Sequence, residues 1–380
     1  MPSAATPRPR RSPTVATSRE RKAPPVLVRQ LRDGIEESVH RGDIVESDAM
    51  GRLIRALGDP DRLVTLRSTV KPFGAVALLE AGGAEAFDLA PDEIAILASS
   101  HSGEDIHVRT LQGIFRRSGV SQSVLACGSE GSPLDALTAA RLARDGEKAG
   151  PVRHMCSGQH SVFLLLSRLS GWSQDDYWHP EHPSQVAYRS AVARAFGTTP
   201  ERLRTAIDGC GVETFAFPLR EVARAYAFLA DPTAVPATDS RSAMAAPLAR
   251  VRDAMLANPE MVAGRHDRLD TSVMKATPGR TVSKAGMEAL RGVAILAGPR
   301  TGTQYAGASG LAVKIEDGDG YDRATWAASV EALRQAGVLD GQALRVLARY
   351  HRPTSLDPHG RVGAEAVAAF ELVPVGELIG

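Results

Sequence analysis

Apolar and polar positions follow different patterns in different stretches of the chain. From 25 to 45, β-branched residues (Val26, Val28, Ile35, Val39, Ile44, Val45) are broken by Asp33-Gly34 and Arg41-Gly42-Asp43, a pattern that predicts two short antiparallel strands. The middle is dominated by Ala/Leu/Arg segments at helical spacing, which predicts helices over 134–143, 184–196 and 219–229. Thr199-Pro200-Glu201 reads as a cap, a first-turn proline and an acidic first turn, so another helix is expected there. Toward the C-terminus the spacing predicts strands over 280–284, 310–315 and 364–372. Helices are expected over 324–336 and 342–351, the second capped by Asp340 and closed by Pro353. Strands at both ends around a helical middle predict an α/β fold: one sheet built from the two chain ends, with a helical lobe inserted. The expected division is a sheet lobe of 26–67 plus 272–380 and a mainly helical lobe of 68–271. Residues 1–25 are rich in Pro, Ser, Thr and Arg, with almost nothing to bury, and read as a disordered basic tail.

Charge narrows the class of partner. Across 380 residues, 45 basic and 44 acidic side chains nearly cancel, so nothing calls for a nucleic acid or an anionic membrane, and a small molecule is the expected partner. A homodimer stays open. No run approaches the ~18 apolar residues of a spanning helix and the first residues lack a secretory apolar stretch, so a cytoplasmic protein is expected. Three scattered cysteines, Cys127, Cys156 and Cys210, suit neither a disulfide framework nor a compact zinc ribbon.

Three segments carry candidate chemistry. In Arg67-Ser68-Thr69-Val70-Lys71-Pro72 the pattern predicts a helix whose first turn puts Ser68 and Lys71 on one face, where an amine can take the hydroxyl proton. The bare motif is equally a serine cap with a solvated lysine. Ser99-Ser100-His101-Ser102-Gly103-Glu104 follows an apolar run, 94–98, that reads as a strand or another buried segment. Thr281-Val282-Ser283-Lys284-Ala285-Gly286 has a lysine on an expected strand just before a glycine. Ser-x-x-Lys, then a serine loop, then Lys-x-Gly on a late strand resembles the order of parts in β-lactamases and penicillin-binding proteins.

Further motifs resemble one family closely, from about 25 to 319. Ile35-Glu36-Glu37-Ser38-Val39-His40-Arg41-Gly42, Arg67 to Pro72, Ser99 to Glu104, Cys156-Ser157-Gly158-Gln159-His160, Asp208-Gly209-Cys210-Gly211, Leu269-Asp270-Thr271 and Lys314-Ile315-Glu316-Asp317-Gly318-Asp319 are similar, in order, to the motifs of the asparaginase II family. The resemblance implies a serine β-lactamase-like fold and hydrolysis of L-asparagine through a Ser-Lys activated nucleophile and an acyl-enzyme. It implies two pairings, Ser68 with Lys71 and Ser100 with Lys284, and leaves open which serine attacks. Arg67 and His101 would offer donors to a substrate carboxylate and Asp208 an acceptor to an α-ammonium, with a structural role for each equally open. Cys156 and Cys210 match cysteines that hold zinc in the family, but Gln159 stands in place of the third ligand, a lysine. An amide oxygen is a poorer zinc ligand, so no metal is required and zinc is left in question. Gly74, Glu130 and Glu213 also depart from the pattern. If they face the pocket the substrate is another amide, and the rival readings are an amidase or acyl transferase of different specificity and a silent amino-acid-binding relative.

Overall fold

The computed structural model describes residues 22–320 and 322–375; most of the expected basic tail, 1–21, lies outside them. The protein is a mixed α/β fold around an antiparallel sheet. Its strands are β1 (Val26–Arg32), β2 (Ile35–Ser47), β3 (Leu53–Leu57), β4 (Leu63–Thr65), β5 (Arg204–Ile207), β6 (Glu213–Pro218), β7 (Thr281–Gly286), β8 (Leu290–Ile295), β9 (Ser309–Ile315), β10 (Thr354–Leu356) and β11 (Val362–Ala368). The large sheet runs β10-β11-β1-β2-β9-β8-β7 with β3 paired to β2, so its strands come from both ends of the chain, while β4-β6-β5 form a small separate sheet. Asp33 and Gly34 both take positive φ, 47° and 81°, which is the backbone a two-residue turn between β1 and β2 demands.

The large sheet is covered on both faces. Ile44, Val293, Ile295, Leu311 and Val313 pack with the Arg323–Gln335 helix on one side. Val45, Leu290, Ala294 and Ala312 pack with the Leu219–Ala230 helix on the other, where the remaining helices gather. This two-sided cover is why β8 is buried at every position instead of alternating.

Several local expectations fail for identifiable reasons: Arg41-Gly42-Asp43 is no turn but lies inside the 13-residue strand β2, held there by pairing of Gly42 and Asp43 with Ile315 and Lys314 of β9. Thr199-Pro200-Glu201 opens only the 3-10 turn Pro200–Arg202 and then β5, because no apolar run at helical spacing follows it. The apolar run 94–98 is buried, as one of its two readings had it, but is no strand: it lies in the helix Pro91–Leu97 and its C-cap Ala98, started by its proline and by Glu93, whose carboxylate accepts from Ala90 N at 2.9 Å. The segment 342–351 breaks at Leu347 into Gly341–Val346 and Ala348–His351, although Asp340 caps it through Gln342 N and Ala343 N. Ser68 lies in a 3-10 turn, Arg67–Val70, and Lys71 opens the helix Lys71–Glu80 beyond it, so the two do not share an α-turn. No helix among the described residues is long and apolar enough to cross a membrane.

Candidate active site

The Lys71–Glu80 helix starts inside the protein, and Lys71 is buried with it. Its Nζ reaches Ser100 Oγ at 3.1 Å, Cys156 Sγ at 3.3 Å and Met155 O at 3.5 Å. Lys284 arrives from the edge strand β7; its Nζ is 2.7 Å from Ser100 Oγ and 2.7 Å from Ala285 O. Burial, and then the neighbouring Lys71, push the Lys284 pKa well below the usual lysine range. A neutral amine there can give one hydrogen to Ala285 O and accept the Ser100 hydroxyl proton.

Asp270 sets the position of β7. Its carboxylate accepts from Ser283 Oγ at 2.6 Å and Ala285 N at 2.9 Å, one on each side of Lys284, and pairs with buried Arg291. Burial works to raise its pKa, but Arg291 and Lys284 overcome it and keep the group ionised.

Ser68 and Ser100 both line one cleft of about 90 Å³, together with Arg268, Asp270, Arg291, Asp322 and Trp326. Ser68, Lys71, Ser100 and Lys284 thus meet at one place, but both amines bond to Ser100. Among the described residues no hydrogen bond joins Ser68 Oγ to either lysine. Ser68 follows Arg67, whose φ of 46° lies in the left-handed region unfavourable to a bulky side chain. Arg67 is held there by Thr214 Oγ1 on its N–H (2.9 Å) and Asp208 on its guanidinium (2.6 Å).

The expected substrate-binding residues are placed elsewhere. Arg67 and Asp208 spend their charges on each other. His101 is fully buried, pairs with Ser157 Oγ at 2.8 Å and stacks on His107, and burial drives its pKa well down. None of the three lines the cleft. The divergent positions do not line it either: Gly74 packs under the Tyr188 ring, Glu213 pairs with Arg189 at 2.7 Å and Glu130 is exposed. What motif reading missed is the charged wall made by Arg268 and Asp322. Arg268 stands one residue before the Leu269-Asp270-Thr271 motif, and this adjacency was the only sequence signal.

Cys156 and Cys210 are brought together, with Lys71 and His154 beside them. Cys210 lies against Cys156, and its hydrogen bond, with help from Lys71 and His154, holds the Cys156 thiol well below its usual range. That sulfur already accepts from Lys71 Nζ at 3.3 Å. Gln159, at the third-ligand position, gives its amide nitrogen to Tyr188 OH at 3.1 Å and has a buried oxygen without a partner. An amide oxygen at that position is a poorer zinc ligand than the thiolates, imidazoles and carboxylates that zinc takes, so the third-ligand position does not favour the metal. Cys127 is a separate buried thiol whose pKa burial pushes up to about 12.

The family model described as L-asparaginase II matches residues 28–367. A crystal structure of Mglu in its tris and glutamate form is similar over 84% of this chain and 65% of that one, at 17% identity and TM-score 0.36. A probable glutaminase of Bacillus subtilis is similar over 74% of this chain and 82% of that one, at 11% identity and TM-score 0.37. A DNA ligase of Methanothrix thermoacetophila is 34% identical over 143 residues, which are 37% of this chain and 22% of the ligase.

Proposed function

From the membership of this chain in the L-asparaginase II family, which makes it a hydrolase of amide carbon–nitrogen bonds, we propose a serine amidase of β-lactamase-like design. Its substrate is L-asparagine or a close side-chain amide, and its nucleophile is Ser100. The observation that carries this reading is the position of Ser100 Oγ between two buried amines, 3.1 Å from Lys71 and 2.7 Å from Lys284.

In this mechanism Lys284 Nζ takes the Ser100 proton as Oγ adds to the amide carbonyl carbon. The tetrahedral adduct collapses by breaking the C–N bond, and the nitrogen leaves as ammonia with the proton that Lys284 returns. The ester left on Ser100 is then cleaved by a water deprotonated by the same amine, which yields the carboxylate and the free serine. Lys71 Nζ donates to Oγ at 3.1 Å and so favours the alkoxide character that develops there. The reading needs no metal.

A second reading makes Ser68 the nucleophile and Ser100 a relay to the lysines. It is favoured by the left-handed Arg67, since backbone strain of this kind collects at functional sites. Ammonia release from asparagine, glutamine and related amides, measured on Ser100→Ala and Ser68→Ala, separates the two. The first reading expects Ser100→Ala to lose at least the roughly hundredfold typical of removing the reacting group, and peptide mapping of the slowest substrate to find the acyl adduct on residue 100. An adduct on residue 68 would falsify it.

A further inference from the structure

The cleft that holds Ser100 also holds two opposite charges without a protein partner of their own. Arg268 stands just ahead of the Leu269–Ala276 helix and makes one side-chain hydrogen bond, from Nη2 to Ser100 O at 3.2 Å. Among the described residues no carboxylate lies within ion-pair distance of it, though its surroundings are desolvated enough to lower its pKa, first of all by burial. A guanidinium has five N–H donors in a fixed fork, so most of this fork is left facing the cleft.

Asp322 faces the same cleft from the N-cap of the Arg323–Gln335 helix, in a left-handed conformation (φ 60°). An N-cap aspartate ordinarily spends its carboxylate on the first turn. This one makes no such bond, and it is Asp319 that accepts from Thr325 N, at 2.6 Å.

The loop leading to Arg268 is anchored. Glu104 accepts from Arg265 N at 2.7 Å and Arg265 Nε at 2.6 Å, and Asp135 binds His266 at 2.9 Å. A Cβ on Gly264, whose φ is 130°, would overlap Ser102 Oγ. The guanidinium is therefore held in place before any ligand arrives, which lowers the cost of binding.

Building on the amidase reading, we propose that Arg268 and Asp322 recognise the two ends of a free α-amino acid, Arg268 its α-carboxylate and Asp322 its α-ammonium. The substrate class is then a free amino acid with a side-chain amide. N-acylated and peptide-bound amides are excluded, because each removes at least one of the two charges. A guanidinium and a carboxylate at the cleft wall, each short of partners, are complementary to a zwitterion and to neither a simple anion nor a neutral amide.

The test uses three ligands that differ in one group each: L-asparagine, succinamic acid, which lacks the ammonium, and β-alaninamide, which lacks the carboxylate. Wild-type kcat/KM is expected to fall by at least about tenfold for each truncated amide. Arg268→Gln, which also removes the bond to Ser100 O, should cost L-asparagine and succinamic acid at least tenfold more than it costs β-alaninamide, mainly in KM. Asp322→Asn should cost L-asparagine and β-alaninamide at least tenfold more than it costs succinamic acid. Arg268→Lys, which keeps the charge and loses the fork, should fall in between, and thermal melts check that each variant is folded. Equal losses on all three ligands would overturn the proposal, since a merely structural role makes no such distinction. Calorimetric titration of wild type, Arg268→Gln and Asp322→Asn with L-asparagine and L-aspartate keeps the two claims apart. Binding that weakens in both variants without turnover of any amide would sink the amidase reading and uphold this inference, whereas binding indifferent to both substitutions would overturn the inference alone.

Discussion

At the scale of single residues, the proposed mechanism turns on the state of Lys284. A lysine in water is protonated at neutral pH and is no base; burial and Lys71 push this one well below that range. Activity should therefore have an acidic limb governed by Lys284 and a plateau reached far below pH 10. Lys284→Met should lose at least roughly a hundredfold in kcat. Because the folded pKa is depressed, the unfolded chain binds more protons between that value and roughly pH 10.4, so stability rises with pH across the window. Denaturant titrations at several pH values should show this slope in wild type and a smaller one in Lys284→Met; identical slopes would count against a neutral buried amine. The cysteine pair gives a second expectation: exhaustive chelation should leave activity and melting temperature unchanged, and metal analysis should find zinc well below one per chain. Both lysines and both serines were legible as motif residues, because nucleophile and base must be of particular chemical types. That both amines turn to one serine was not legible, since it depends on where β7 and the 3-10 turn at Ser68 lie in space.

At the scale of elements, most of the pattern was readable where local and tertiary demands agree. The β1–β2 pair follows from β-branched residues around Asp33-Gly34, and the Leu219–Ala230 helix from its apolar spacing. The run 94–98 was ambiguous because a continuous apolar stretch has no period, and only Pro91 and Glu93 marked it as a helix. The clamp on β7 was invisible in sequence, since Asp270 grips Ser283 and Ala285 from another element. Asp270 acts as a positioning residue, which gives a prediction apart from stability. Asp270→Asn leaves buried Arg291 without its counter-charge, a change of the kind that costs about 3–5 kcal/mol. The lost negative charge also no longer supports a protonated Lys284. The acidic limb of the pH–rate profile should move to lower pH while kcat falls. A stability loss with an unmoved limb would mean that Asp270 only holds the fold.

At the scale of the whole molecule, the site is assembled across the sheet-to-helix contact: Ser68, Lys71 and Ser100 come from the helical side and Lys284 from the edge of the sheet. The register of that contact therefore matters to catalysis as well as to stability. Gly310 on β9 lies directly under the Leu219–Ala230 helix, where an added Cβ would overlap Ala223 O and Ala227 N, both backbone atoms. Backbone cannot swing aside as a flexible side chain does, so Gly310→Ala must push the helix off the sheet or bend β9, at a cost of about 1–3 kcal/mol or more. Because β9 pairs with β8 and β8 with β7, the displacement passes to the strand that carries Lys284. We expect Gly310→Ala to lower the denaturation midpoint and also to reduce kcat under conditions where the chain is fully folded. Gly150→Ala is the control: nothing lies within 4 Å of its added Cβ, so it should stay within about 0.5 kcal/mol of wild type and keep full activity. If Gly310→Ala lost stability but kept wild-type kcat when folded, the position of Lys284 would be independent of the helix contact, and the clamp from Asp270 alone would have to account for it.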